Sequence, residues 1–241
     1  MAYRTDPRFA QPGLAVPATD EGLRSFMLSV YNYMGLGLAI TGVVAFAVAS
    51  SPAIYMPIFT SPLKWVVMLA PLGFIFFLSA RIQSMSVSAA QITFWLFAAV
   101  MGISMASIFL VFTGESIARV FFVTAATFGA VSLYGYTTKR DLSGVGSFLF
   151  MGLIGIIIAS VVNIFLASSA LQFAVSVIGV LVFTGLTAWD TQRLKEQYVG
   201  SLQYAGADIA SKSAVMGALS LYLNFINLFT MLLQLMGNQR N

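Results

Sequence analysis

Asp190 is the acidic residue whose position in the sequence could give it a chemical role. It directly follows the apolar run ALQFAVSVIGVLVFTGLTAW, and the next positive charge is Arg193. If a membrane helix continues to Arg193 and Lys195, whose long side chains can reach the interface, Asp190 lies inside the membrane boundary. An ionisable residue there indicates a functional site, although an interfacial Asp190 that faces water fits its position equally well. The other acids fall in predicted tails, turns or connections: Asp6, Asp20, Glu21, Glu115, Asp141, Glu196 and Asp208.

Two residues are within reach of Asp190 as partners. Arg81 ends the second long apolar segment on the same side as Asp190 ends the sixth, so an ion pair is geometrically possible. Asn224 lies 11 residues into the last apolar segment, which is about 16 Å along a helix. We therefore expect Asp190 and Asn224 to meet only if the first turns of that last helix project beyond the membrane.

The last apolar segment, residues 213–237, carries a stripe of polar and small side chains but no charge. Its members recur at steps of three, four or seven, which places them on one helix face. Unpaired amides in hydrocarbon cost several kcal/mol each, so this polar stripe must face protein or a wet cavity. Interhelical hydrogen bonding at ~0.6 kcal/mol per bond is the favoured role for Ser213, Gly217 and Gln234, and it stays open for Asn224 and Asn227. The polar stripe consists of Ser213, Gly217, Ser220, Asn224, Asn227 and Gln234.

Composition identifies an integral membrane protein. Of the 241 residues, 59% are hydrophobic and 8% are charged, against ~25% charged in a soluble domain. The chain contains no Cys and no His, which excludes thiol and imidazole catalysis and the usual transition-metal sites. The glycines lack the GK[ST] of a phosphate loop. We therefore predict no enzyme and no cofactor, and a lipid bilayer rather than nucleic acid as the partner.

Seven apolar segments are long enough to span a bilayer as helices. We predict an all-α membrane domain over residues 25–237, preceded by a flexible polar cytoplasmic tail, residues 1–24, and followed by a short tail, residues 238–241. Residues 51–62 and 193–212 are predicted as connections. The spans are predicted at residues 25–50, 63–80, 89–112, 117–136, 145–166, 171–190 or a little beyond, and 213–237.

The positive charges favour a cytoplasmic N-terminus. With that orientation nine of the twelve Lys and Arg residues lie on the inner side, as the positive-inside rule requires. The outer three are Lys64, Arg119 and Arg240. The short tail without a targeting signal favours the cytoplasmic (inner) membrane of a bacterium.

Two motifs resemble the Bax inhibitor-1 family, also called the transmembrane Bax inhibitor motif proteins. They are GLTAWDTQRLKEQY, residues 185–198, and ALSLYLNFINLF, residues 218–229. The resemblance covers about residues 22–237 and implies six helices around a central seventh. It also implies a pH-responsive calcium leak in which two aspartates pair and an arginine holds the closed form. The first aspartate maps onto Asp190, the arginine onto Arg81 and the second aspartate onto Asn224.

The sequence departs from the family pattern at Asn224. Two neighbouring carboxylates cannot both ionise cheaply, which makes such a pair a proton switch near neutral pH. An Asp beside an Asn has no such repulsion, and the amide donates a hydrogen bond to the charged carboxylate. We therefore expect Asp190 to remain ionised and the pH sensitivity to be weak or shifted to acidic pH.

The leading functional hypothesis is a calcium-permeable leak channel gated at Asp190. Arg81 is expected as the closed-state counter-charge, with Asn224 and Asn227 along the ion pathway. One carboxylate with amides is a poor high-affinity calcium site, so calcium would bind Asp190 only weakly and transiently. The alternative is a non-conducting protein that modulates a membrane-bound protease or another membrane partner. Deleting residues 1–22 should abolish such an interaction and spare a leak.

Overall fold

The computed structural model describes the main chain of residues 15–240 and the side chains from Asp20 onward. This part of the chain is helical, with no strand, and seven of its helices are long and apolar enough to cross a membrane. The predicted seven-span, all-α architecture is confirmed. The helices are α1 (Ala15–Ala49), α2 (Pro52–Thr60), α3 (Leu63–Arg81), α4 (Val87–Val111), α5 (Gly114–Thr137), α6 (Ser143–Leu166), α7 (Ser169–Gly200) and α8 (Ala207–Met236).

The connection predicted at residues 51–62 contains the helix α2. Its first residue is Pro52, and proline is well tolerated in the first turn because its missing N–H needs no partner there. With nine residues, α2 is about 14 Å long, far short of the ~30 Å hydrocarbon core. It therefore adds no span, and the two ends of the membrane domain remain on opposite sides.

The helices at both ends of the domain are longer than predicted. α1 begins at Ala15, so residues 15–24, assigned to the flexible tail, are helical, while residues 1–14 lie outside the described residues. The connection predicted at residues 193–212 is reduced to residues 201–206, which include a 3₁₀ turn at Leu202–Tyr204. α7 and α8 have 32 and 30 residues, more than the ~20 that a bilayer requires. Their facing ends therefore project beyond the hydrocarbon core.

α8 is the most buried of the seven spans in the described structure. It packs against α1, α4, α5 and α7. Tyr222 lies at the centre of this packing: its hydroxyl is 2.7 Å from the Thr41 hydroxyl, and its ring meets Phe94 and Phe97 edge-on. Thr41 in turn donates to the Ala98 carbonyl. The contacts of α8 thus include four of the six other spans, and the predicted ring of six around a central seventh stays a prediction.

The C-terminal residues close one end of the bundle. Gln239 forms an isolated antiparallel bridge with Phe112, and the Arg240 N–H donates to the Val111 carbonyl at 2.8 Å. The Asn238 N–H donates to the Ser116 hydroxyl at 2.8 Å. The C-terminus therefore lies at the same end as the α4–α5 turn, as an odd number of spans requires. The assignment of this end to the outer side of the membrane stays a prediction.

Candidate ion-pathway site

Asp190 is buried between α7 and α8. It is 5% exposed, which rules out the interpretation that it faces water at the interface. Its Oδ2 accepts a hydrogen bond of 2.7 Å from the Asn224 amide and one of 2.8 Å from the Ser220 hydroxyl. Ser220 and Asn224 lie one turn apart on the polar stripe, so one face of α8 supplies both donors. α8 begins at Ala207, before the predicted span at residue 213, so its early start is consistent with the condition expected for this contact.

The other carboxylate oxygen of Asp190 faces Arg193. Oδ1 lies 2.7 Å from a guanidinium nitrogen, but it receives no directed hydrogen bond from any described residue. The guanidinium also stacks on the Trp189 ring, 4.7 Å from its centroid. Because the Arg193 side chain is 44% exposed, solvent screens this ion pair and its net contribution is modest. Arg193 is thus held at the site by its position one turn along α7 and by Trp189.

Arg81 does not meet Asp190 in this structure. It is exposed at the end of α3, and among the described residues no hydrogen bond or ion pair joins the two side chains. The physical reason is that α3 packs against α4 and α2, whereas Arg193 lies on the same helix as Asp190. The counter-charge expected from Arg81 is provided here by Arg193.

Two cavities meet at the Asp190–Arg193 pair. One, of about 480 Å³, extends toward the α7–α8 connection and includes Gln197, Lys212 and Ser213 in its lining. The second, of about 580 Å³, is lined by Asp190, Asn224, Asn227 and Ser160 together with a larger number of apolar side chains, some of them exposed on α6. The two share the wall residues Ile75, Arg193, Ser220 and Leu223. The Asp190 carboxylate therefore lines the second cavity, and its contacts Arg193 and Ser220 line both.

A third cavity continues in the same direction. It has about 210 Å³ and is lined by the amide side chains of Asn163, Gln172 and Gln234. It shares Ser160, Ile164 and Met231 with the second cavity. The polar stripe of α8 thus lines three adjoining cavities in order, from Ser213 through Asn224 to Gln234.

The members of the polar stripe do not all have the same role. Gln234 accepts a hydrogen bond of 2.8 Å from the Ser176 hydroxyl on α7, and at Gly217 an added Cβ would be 2.7 Å from a Leu194 methyl. These two residues hold helices together, as expected. Asn227 instead donates to the Leu223 carbonyl of its own helix and lines the second cavity. The place of Asn227 along an ion pathway stays a prediction.

The two residues after Asp190 are buried polar groups whose partners were not predicted. The Thr191 hydroxyl is 2.9 Å from that of Ser132, which is 2.6 Å from the Tyr31 hydroxyl. The Gln192 amide donates to the Arg140 carbonyl and accepts from the Leu142 N–H, both at 2.8 Å. Successive helical residues point about 100° apart, so Asp190, Thr191 and Gln192 bind three different neighbours. Three consecutive polar residues after a long apolar run were the available signal.

The side chains around Asp190 offer few ligands for a metal ion. In the described part of the chain no group of three or more His, Cys, Asp or Glu residues is placed to hold a metal ion. Calcium takes six to eight oxygen ligands, whereas this site offers one carboxylate with amide and hydroxyl groups. A calcium ion would therefore be held at Asp190 only weakly.

Known proteins resemble this chain over most of its length. A family model described as "Inhibitor of apoptosis-promoting Bax1" matches residues 23–241. The chain is 49% identical over 222 residues to the inner membrane protein YbhL of Escherichia coli K12, covering 91% of this chain and 94% of that protein. It is 49% identical to a Rickettsia prowazekii protein over 92% of this chain and 93% of that protein. A Caulobacter vibrioides protein is 47% identical over 92% of both chains.

Proposed function

This chain belongs to the Bax inhibitor-1 family, and on that premise we propose that it is a calcium-permeable leak protein of a bacterial inner membrane. The inner membrane is proposed because its relative YbhL is described as an inner membrane protein and seven helices here are apolar enough to span one. The N-terminus is proposed to be cytoplasmic from the distribution of Lys and Arg. Calcium is the transported substrate and not a resident cofactor.

The observation that carries this proposal is the position of Asp190. The buried carboxylate lines a cavity of about 580 Å³, and its ion-pair partner Arg193 also lines the neighbouring cavity of about 480 Å³. Intramembrane acids that line cavities are typical of ion pathways. A negative charge in the wall of such a cavity attracts cations and repels anions, and the neutral amides beyond it allow a cation to leave. Asn224 and Asn227 supply these amides.

Arg193 is proposed as the counter-charge of the closed state. Its guanidinium neutralises Asp190 at 2.7 Å and lines both cavities, so a cation reaching Asp190 must displace it. The displacement is inexpensive because Arg193 is already 44% exposed and can turn toward solvent. Arg81 can replace it as the counter-charge only if α3 moves toward α7.

Weak pH sensitivity remains part of the proposal. The groups that contact the Asp190 carboxylate in the described structure are Arg193, Ser220 and Asn224. None of them is a second carboxylate, so the mutual repulsion that makes an aspartate pair sensitive to protons is missing.

Calcium flux into liposomes tests the proposed function. Purified wild-type protein should admit calcium reported by an enclosed indicator, and Asp190→Ala should reduce the initial rate at least tenfold. Glu196→Ala is the matched control, since Glu196 is an exposed acid on the same helix and lies outside the cavities. No flux from wild-type protein at any pH between 6 and 8 would overturn the leak. A protein that binds a membrane protease would then be favoured, and deleting residues 1–22 should abolish that binding.

A further inference from the structure

A groove between α1 and α5 is not used by the proposed ion pathway. It has a volume of about 830 Å³. Met27, Met34 and Phe128, all buried, form its floor together with Phe225 of α8, and the exposed Leu28 and Leu133 form its rims. One face of α1 and one face of α5 line it, at helical spacing. The groove is therefore a lateral opening in the wall of the bundle.

The groove runs from the headgroup zone of the membrane into the hydrocarbon. Its lining on α1 extends from Asp20 to Gly35, a distance of about 22 Å along a helix. The apolar span of α1, Asp20–Ala49, has 30 residues and is about 45 Å long, the thickness of a bilayer with its headgroups, so Asp20 and Arg24 lie in the headgroup zone. One leaflet contributes about 15 Å of hydrocarbon and roughly 6 Å of headgroups. The groove thus matches one leaflet in length.

The mouth of the groove carries opposite charges. Asp20 and Arg24 lie four residues apart on its lining and both are exposed. The ion pairs found between described side chains are Arg119–Glu115 and Arg193–Asp190, so Asp20 and Arg24 do not pair with each other. A carboxylate and a guanidinium held apart in this way complement a ligand headgroup that has both an ammonium and a phosphate.

Two glycines in the lining leave open space in the groove. At Gly35 of α1 and Gly129 of α5, both in the lining, an added Cβ would meet no atom within 4 Å. No side chain of the described structure fills this space. In a bilayer an apolar space of this kind that opens laterally is filled by a hydrocarbon chain.

We propose that the α1–α5 groove binds one phospholipid with a zwitterionic headgroup that carries a primary ammonium. An acyl chain lies over Met27, Met34 and Phe128, the phosphate contacts Arg24, and the ammonium donates to the Asp20 carboxylate. A primary ammonium is required because it donates hydrogen bonds, whereas an anionic headgroup would be repelled by Asp20. The inference is independent of the calcium leak, because the groove and the Asp190 cavities share no lining residue.

Native mass spectrometry of the full-length protein tests the proposal. The protein is reconstituted in vesicles of equimolar palmitoyl-oleoyl phosphatidylethanolamine and phosphatidylglycerol, and retained lipid is counted. We expect one retained lipid, with phosphatidylethanolamine favoured about two- to fivefold, the range of a solvent-exposed ion pair. Asp20→Asn should bring the two lipids to equal retention, and equal retention in wild-type protein would overturn the headgroup assignment.

Substitutions that fill the groove test whether the lipid binds there. Gly129→Phe and Gly35→Leu each place a side chain in the empty space and should each reduce the retained lipid at least fivefold. Gly155→Phe is the matched control, because Gly155 is an exposed glycine of α6 with nothing within 4 Å of an added Cβ, and it should retain the lipid. If both filling variants are monodisperse and helical and still retain the lipid, the proposal is overturned. Displacement of the lipid by equimolar chain-free glycerophosphoethanolamine would overturn the role of the acyl chain.

Discussion

The two faces of α8 differ in how they fill the space beside them. On one face Tyr222, Phe225 and Phe229 pack their rings against other aromatic rings, with centroids 5.4 to 6.4 Å apart. The cavity around Phe229 on this face is about 90 Å³, and Phe225 also contributes to the floor of the apolar α1–α5 groove. On the other face the polar stripe, including Ser220 and Asn224, borders cavities of about 480 and 580 Å³. One helix thus has a packed face and a cavity face.

Because of this difference, we expect the packed face to determine the stability of the protein and the cavity face to determine calcium transport. Burial of aromatic rings is a large source of packing energy, and it is concentrated on the packed face. The amides and the Asp190 carboxylate contribute less to stability, because their partners are few and Arg193 is partly exposed. Substitutions on the packed face should therefore change the free energy of unfolding, and those on the cavity face should change calcium flux.

The largest effect on stability is expected at Tyr222. Tyr222→Ala removes a fully buried ring and should lower the free energy of unfolding by about 3–5 kcal/mol. Leu223→Ala, at the next position but on the cavity lining, is the matched control and should cost less. Chemical unfolding in detergent micelles measures both. An equal loss for the two variants would remove the distinction between the faces.

A change of the cavity face should create a pH response. Asn224→Asp places a second carboxylate where an amide nitrogen now lies 2.7 Å from Asp190. When both carboxylates are ionised they repel each other, so this variant should be less stable at pH 8 than at pH 6. Its flux should change by up to tenfold per pH unit, as for one proton. Wild-type protein should show a shallow profile in the same liposomes, and equally steep profiles would contradict the role given to Asn224.

A smaller effect is expected from removing the counter-charge. Arg193→Gln should raise the flux about two- to fivefold, which corresponds to the net strength of a solvent-exposed ion pair. Arg81→Gln should leave the flux unchanged, since Arg81 makes no contact with Asp190 in the described structure. If instead Arg81→Gln raises the flux and Arg193→Gln leaves it unchanged, the counter-charge is Arg81.

The spans could be predicted from the sequence because they depend on local patterns, whereas the contact of Asp190 with Asn224 is expected only on a condition and follows from the family resemblance. Apolar length defines the spans, and the spacing of the polar stripe places Asn224 on the correct face of α8. The choice between Arg81 and Arg193 could not be predicted, because it depends on how α3 is placed relative to α7. Helix periodicity gives no information on which neighbour a helix packs against.

The helix α2 and the extended helix ends were missed for a different reason. α2 contains Pro52 and Pro57, and none of its residues is buried, so neither composition nor periodicity distinguishes it from a loop. Residues 193–200 and 207–212 are polar because they project beyond the hydrocarbon, and polarity was interpreted as a connection. The partners of Thr191 and Gln192 are distant in sequence, at 59 and about 50 residues, and follow only from the packed structure.

Cysteine accessibility tests the wet character of the cavity face most directly. The chain has no cysteine, so Asn227→Cys and Phe229→Cys each introduce a single thiol on α8, two residues apart and on its two faces. A membrane-impermeant cationic methanethiosulfonate should label Asn227→Cys in liposomes and reduce its calcium flux, and it should leave Phe229→Cys unlabelled. If the reagent labels neither thiol in folded protein, a water-accessible pathway along the polar stripe is contradicted.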